Sequence, residues 1–117
     1  MTDRLLVWQE AIVLVKEVYR LTERFPSNEM YGLTSQMRRA AISVPSNIAE
    51  GAARKGDNEF IRFLSINRGS LSELDTQIII AKELGYLSDE ASIISQVDKI
   101  FGLIGGLMNS IRSRKAK

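Results

Sequence analysis

Gln36-Met37-Arg38-Arg39-Ala40-Ala41-Ile42-Ser43-Val44-Pro45-Ser46-Asn47-Ile48-Ala49-Glu50-Gly51 reads as a helical segment with a proline inside it. A proline in a helix interior removes one backbone hydrogen bond and costs about 3 kcal/mol, so neighbouring groups must compensate. Met30, Leu33, Met37, Ala41, Val44, Ile48 and Ala52 form an apolar stripe along the segment, and Gln36, Ser43, Asn47, Glu50 and Arg54 form a polar row beside it. Residues three, four or seven apart share one side of a helix. A dry stripe with a polar seam next to it predicts a helix whose seam is buried and hydrogen-bonded, because buried polar groups need partners.

Outward from this segment, periodicity predicts four helices. The first runs from about Leu5 to Arg24, where Phe25-Pro26-Ser27-Asn28 stops it and Ser27 caps the second, which continues to about Arg54 and bends at Pro45. Lys55-Gly56-Asp57 forms the next turn, with Gly56 in a left-handed conformation and Asp57 capping a third helix that extends to Leu84. Gly85-Tyr86-Leu87-Ser88 ends that helix, and Ser88 caps the fourth, with Asp89 and Glu90 favourably placed at its positive end. Short connections between long helices make neighbours antiparallel, so the predicted fold is an all-α, up-and-down antiparallel four-helix bundle forming a single domain over residues 1–117.

The chain resembles the four-helix bundle proteins noted as reading frames inside intervening sequences of 23S ribosomal RNA genes. The resemblance rests on Trp8-Gln9-x-Ala11, Leu21-Thr22-x-x-Phe25-Pro26, Tyr31-Gly32-Leu33-x-x-Gln36-Met37-Arg38-Arg39-Ala40, Ser43-Val44-Pro45-Ser46-Asn47-Ile48-Ala49-Glu50-Gly51, Phe60-x-x-Phe63-Leu64 and Gly69-Ser70-x-x-Glu73-Leu74. It covers nearly the whole chain and is weakest after about Gly85. It implies a ring of five subunits but no settled biochemical activity. Related bundles that accompany the reverse transcriptases of diversity-generating retroelements form similar rings and bind nucleic acid.

Composition narrows the chemistry. The 117 residues include no cysteine and no histidine, which excludes disulfides, thiolate zinc sites and histidine-activated nucleophiles. The amino terminus is too short in apolar residues and too acidic for a signal peptide, and no apolar run approaches the ~20 residues of a membrane span. The expectation is a cytoplasmic protein without a membrane partner, metal or cofactor.

The fourth helix places Ile93, Val97, Ile100, Ile104, Leu107 and Ile111 at alternating spacings of four and three, a bundle seam. Ile94, Phe101, Leu103 and Met108 widen its stripe. The first helix carries Trp8, Ala11, Ile12, Val15 and Val18 on one side and Val7, Leu14 and Leu21 on another. Surplus apolar surface on these two helices predicts homo-oligomer contacts, with Leu14, Leu21, Phe101 and Leu103 as the contact positions. Gly102, Gly105 and Gly106 predict close approach by another helix backbone.

Glu50 and Glu73 are positioned to meet Arg38, Arg39 or Arg68. Together Arg38, Arg39, Ser43, Asn47, Glu50, Ser70 and Glu73 form the predicted structural polar cluster. The same carboxylates read as an enzyme site would require a metal or cofactor, and the favoured reading is not an enzyme. Net charge is only +2, but Arg112, Arg114, Lys115 and Lys117 crowd the carboxy terminus, and Arg54 and Lys55 follow the second helix. These six are the candidate contacts to RNA or DNA phosphates. They serve equally as the solvated ends of helices. No aromatic platform for bases is evident, because Phe60 and Phe63 read as core and Tyr86 stands alone. Two partner classes therefore remain, nucleic acid held by basic surfaces and a protein docked on apolar ones.

Overall fold

The computed structural model describes residues 3–116, with side chains through Arg114. Helix α1 spans Arg4–Thr22, α2 Leu33–Ala53, α3 Asp57–Glu83 and α4 Ala91–Ala116, and a single 3₁₀ turn occupies Ser27–Glu29. Each helix packs against its sequence neighbours and α1 closes on α4, giving an antiparallel up-and-down bundle 51 Å long. No strand occurs among the described residues.

The four helices form because their apolar residues keep a spacing near 3.5 and because each start and stop carries its own signal. Asp3 accepts a hydrogen bond from the Leu5 amide at 2.9 Å and so caps α1. Gly56 and Gly85, at φ of 93° and 79°, make the two later turns in a backbone region that only glycine enters freely. Three predicted caps differ. Ser27 opens only the 3₁₀ turn, and α2 starts after Gly32, where the Glu29 carboxylate accepts from the Leu33 amide at 3.2 Å. A Cβ on Gly32 would meet that carboxylate at 2.8 Å, so a glycine leaves room for the cap. Asp57 lies inside the first turn of α3, and Asp89 rather than Ser88 accepts from the Ala91 amide at 3.0 Å.

One core runs through all four helices. The α4 seam from Ile93 to Ile111 is buried as predicted. On α1 the inward row is Val7, Ala11, Leu14 and Val18, and on α3 it is Phe60, Leu64, Asn67, Leu71, Leu74, Ile78 and Ala81, again alternating four and three. Each fully buried leucine or isoleucine contributes about 1.5–3 kcal/mol relative to exposure.

Helix α2 continues through Pro45, and α3 supplies polar groups around it. The Asn67 amide nitrogen donates to the Val44 carbonyl at 3.0 Å, while the Ser43 and Ser70 hydroxyls are hydrogen-bonded at 2.8 Å and Ser43 also reaches the Ala40 carbonyl at 2.7 Å. The Ala40 and Val44 carbonyls, both on the amino-terminal side of the proline, thus gain side-chain donors, and the Asn67 bond ties the α2–α3 register to the proline.

At one end of the bundle the Tyr86 hydroxyl donates to Glu29 at 2.8 Å and the Tyr86 ring packs on Phe25 at 5.4 Å. The α1–α2 and α3–α4 connections are joined there. The hydrogen bond to Glu29 holds the Tyr86 phenol above its ordinary value, so it remains a donor through neutral pH.

Candidate functional site

The charged groups sort the molecule into two ends. Arg54 and Lys55 leave α2 at the same end where α4 finishes, and Arg114 donates to Asp57 at 3.3 Å across that end. Arg4 from the start of α1 joins Asp3, Phe60 and Arg114 around a hollow of about 260 Å³. Cations from α1, α2 and α4 therefore converge. The pairing inside this end is loose: Arg54 donates to Glu50 at 2.8 Å, and in both this pair and Arg114–Asp57 all four side chains reach solvent. Exposed pairs are worth little. Lys55 and Arg112 are exposed without an ion pair among the described residues. The predicted contributions of the Lys115 and Lys117 side chains lie outside the described residues.

The predicted polar cluster is not a buried network. Glu50 is about half exposed and pairs within its own helix with Arg54, and Glu73 is exposed and accepts from Gln77 at 3.1 Å within α3. Neither carboxylate reaches Arg38, Arg39 or Arg68. Of the seven residues only Ser43 and Ser70 meet each other across helices, while Arg38 reaches Thr22 of α1 instead of either carboxylate; Asn47 is half-buried and Arg39 is exposed. The polar row lies at the edge of the stripe, and from that edge long side chains reach water at less cost than burial. No group of three or more carboxylates fit to hold a metal occurs among the described residues.

The buried polar groups lie elsewhere. Thr22, Thr34, Asn67 and Gln77 are buried, and the side-chain oxygens of Asn67 and Gln77 have no hydrogen-bond partner. Asn67 was detectable, since it falls in the four-three register of the α3 core. Asp75 is also under strain: loss of hydration on burial and the facing Asp98 raise its carboxyl above the ordinary value, and one of its oxygens lacks a partner. On the α1–α4 seam, by contrast, the Gln96 amide and then Lys99 hold Glu10 below the ordinary carboxylate range.

The apolar surface also differs from expectation. Leu14 is fully buried in the core and is not an oligomer contact. Leu21, Phe101 and Leu103 are half-buried against the core, Phe101 beneath the Arg68 guanidinium at 4.9 Å. The outer row of α1 is Leu5, Trp8, Ile12, Val15 and Tyr19, also spaced three and four, with Leu5 at 55% and Trp8 at 37% exposure and Ile12 and Val15 half-buried. Leu5 and Trp8 face Ile48, Ala49 and Ala52 of α2 across a groove of about 450 Å³. Two adjacent heptad rows compete on α1, and only packing decides which turns inward.

A Cβ placed on Gly102 or Gly105 would meet nothing within 4 Å, so no helix of the bundle requires those glycines. Within Ala91–Arg114 of α4, a stretch of mean hydropathy 1.3 is long and apolar enough by composition to cross a membrane, contrary to expectation. Its apolarity comes from a core seam flanked by Ile94, Phe101, Leu103 and the glycines, and only a third of that stretch is buried.

Aromatic surface was also missed. Phe60 and Phe63 are core as predicted, and Tyr86 is bonded rather than alone. Tyr31, however, is almost wholly in water, at the end of the bundle opposite Arg54.

Comparison with known proteins adds a family. The family model described as 23S rRNA-intervening sequence protein matches residues 3–106. No curated protein matches the chain.

Proposed function

The chain belongs to the family of 23S rRNA-intervening sequence proteins, and from that membership we propose a non-enzymatic, self-associating scaffold that holds nucleic acid by its phosphates. The observation that carries the reading is the convergence of Arg4, Arg54, Lys55, Arg112 and Arg114 at one end of the bundle from distant parts of the chain. Cations gathered there replace the counterions of a phosphate backbone and gain affinity from their release. Such binding reads no sequence.

Self-association follows from the outer row of α1. Leu5, Trp8 and the facing Ala49 and Ala52 leave an apolar groove in a lone bundle, and a contiguous apolar patch of this kind marks an interface. The ring of five subunits implied by the family resemblance would place five cationic ends on one body, and weak contacts held together act through effective concentration.

The test is binding of a labelled RNA or DNA across a salt series, with the full chain and with residues 112–117 deleted. Loss of affinity and a shallower salt slope in the truncated chain support the reading. An unchanged slope removes the carboxy-terminal cations from it. The groove also favours a second reading, in which the same scaffold docks a protein partner. Binding that persists undiminished from low to moderate salt identifies that case.

A further inference from the structure

We propose that the surface where the end of α1 meets the start of α2 is a binding site for single-stranded nucleic acid, with Tyr31 stacking on a base and Arg38 and Arg39 holding the adjoining phosphates. This deepens the nucleic-acid reading above and rests on it. The site lies at the opposite end of α2 from Arg54: Arg39 and Arg54 are about 22 Å apart along the helix at ~1.5 Å per residue.

Tyr31 is 97% exposed. An aromatic ring left almost wholly in water gains nothing for the fold, yet it presents a flat apolar face beside cations. Arg38 is already positioned. Its Nε donates to the Thr22 hydroxyl at 2.9 Å, that hydroxyl donates to the Val18 carbonyl at 2.8 Å, and the guanidinium carbon lies 4.4 Å from the centre of the Tyr19 ring. The remaining guanidinium amino groups have no acceptor among the described residues. Arg39 is exposed and has no ion-pair partner among them either.

Tyr19, Tyr31, Thr34, Ser35, Arg38 and Arg39 line one shallow groove of about 250 Å³, and no carboxylate shares the lining. Two arginines without an ion pair, two tyrosine rings and no acid make up the chemistry that holds a single strand: cations follow the backbone while rings accept any base by its face. A duplex hides those faces by stacking them on each other. It would meet only the arginines.

Fluorescence anisotropy with the full chain, a labelled single strand of about 12 nucleotides and a duplex of the same sequence tests this. Tyr31→Ala should weaken single-strand binding about tenfold, leave duplex binding unchanged and keep the circular dichroism of the wild type; Tyr31→Phe should restore the affinity. Arg39→Ala should make the salt slope on the single strand shallower by about 0.7. A Tyr31→Ala protein that binds the single strand as tightly as wild type overturns the site. It leaves the basic-end reading intact if deletion of residues 112–117 still weakens binding. A wild-type chain that binds neither nucleic acid overturns both, and an equal loss on single strand and duplex overturns the stacking role.

Discussion

Replacing Gly51 with alanine and Gly102 with alanine makes the same chemical change in two helix interiors and should have opposite effects. Alanine gains about 1 kcal/mol over glycine inside a helix at either position. At Gly51 a Cβ would stand 2.8 Å from Phe63 Cβ and 3.0 Å from Phe60 Cδ1. Phe63 Cβ is bonded directly to the α3 backbone and cannot rotate away, so α3 must shift from α2. Overpacking of this kind costs about 1–3 kcal/mol, and the rigid contact puts Gly51→Ala at the upper end. The net is a loss of about 2 kcal/mol, roughly 1.3 M in urea midpoint at a slope of about 1.5 kcal/mol per molar. At Gly102 nothing lies within 4 Å, so Gly102→Ala keeps the full gain and raises the midpoint by roughly 0.7 M. Urea titrations followed by circular dichroism read both, at one protein concentration because association adds stability by mass action. A Gly51→Ala midpoint above wild type would refute the close α2–α3 contact, and a lowered midpoint for Gly102→Ala would refute the open face on α4.

Asp75→Asn should stabilise the protein at neutral pH. The folded Asp75 carboxyl titrates above its unfolded value because burial and Asp98 oppose its charge, so the folded state binds the extra proton and wild-type stability from this group rises as pH falls between the raised value and the ordinary 3.8. The midpoint difference between Asp75→Asn and wild type should therefore shrink as pH falls through that window, and a difference that stays constant would exclude the charge as its cause. Trp8→Glu should dissociate the proposed assembly with helix content retained; light scattering showing the wild-type chain as a monomer at micromolar concentration would remove the self-association reading.

Much of the fold was legible, because spacing carries it. The α4 seam from Ile93 to Ile111 and the glycine turns at Gly56 and Gly85 are local patterns that the structure repeats. The candidate site was less legible, for two physical reasons. A residue at the rim of a helix stripe turns inward or outward according to what its neighbours leave open, so Glu50 reached solvent and Leu14 became core while Trp8 did not. The convergence of Arg4, Phe60 and Arg114, or of Tyr19, Tyr31 and Arg38, depends on antiparallel packing of separate helices. No local window contains it. Asn67 is the intermediate case: its core register was visible, but its partner, the Val44 carbonyl beside a proline, was not.

The bond between Tyr86 and Glu29 implies a gradient of local opening along the rod. It spans 57 residues of sequence and, with the ring of Phe25 against it, anchors the two connections to each other at one end. The other end is crossed by Arg114–Asp57, a solvent-exposed pair at 3.3 Å that adds little resistance to separation. Amide hydrogen exchange should then begin in the last turns of α4 and around Gly56 and reach the Tyr86 end last, because opening starts where few buried contacts hold the backbone. Under the proposed phosphate binding, the end that opens first would be the end that meets the polymer.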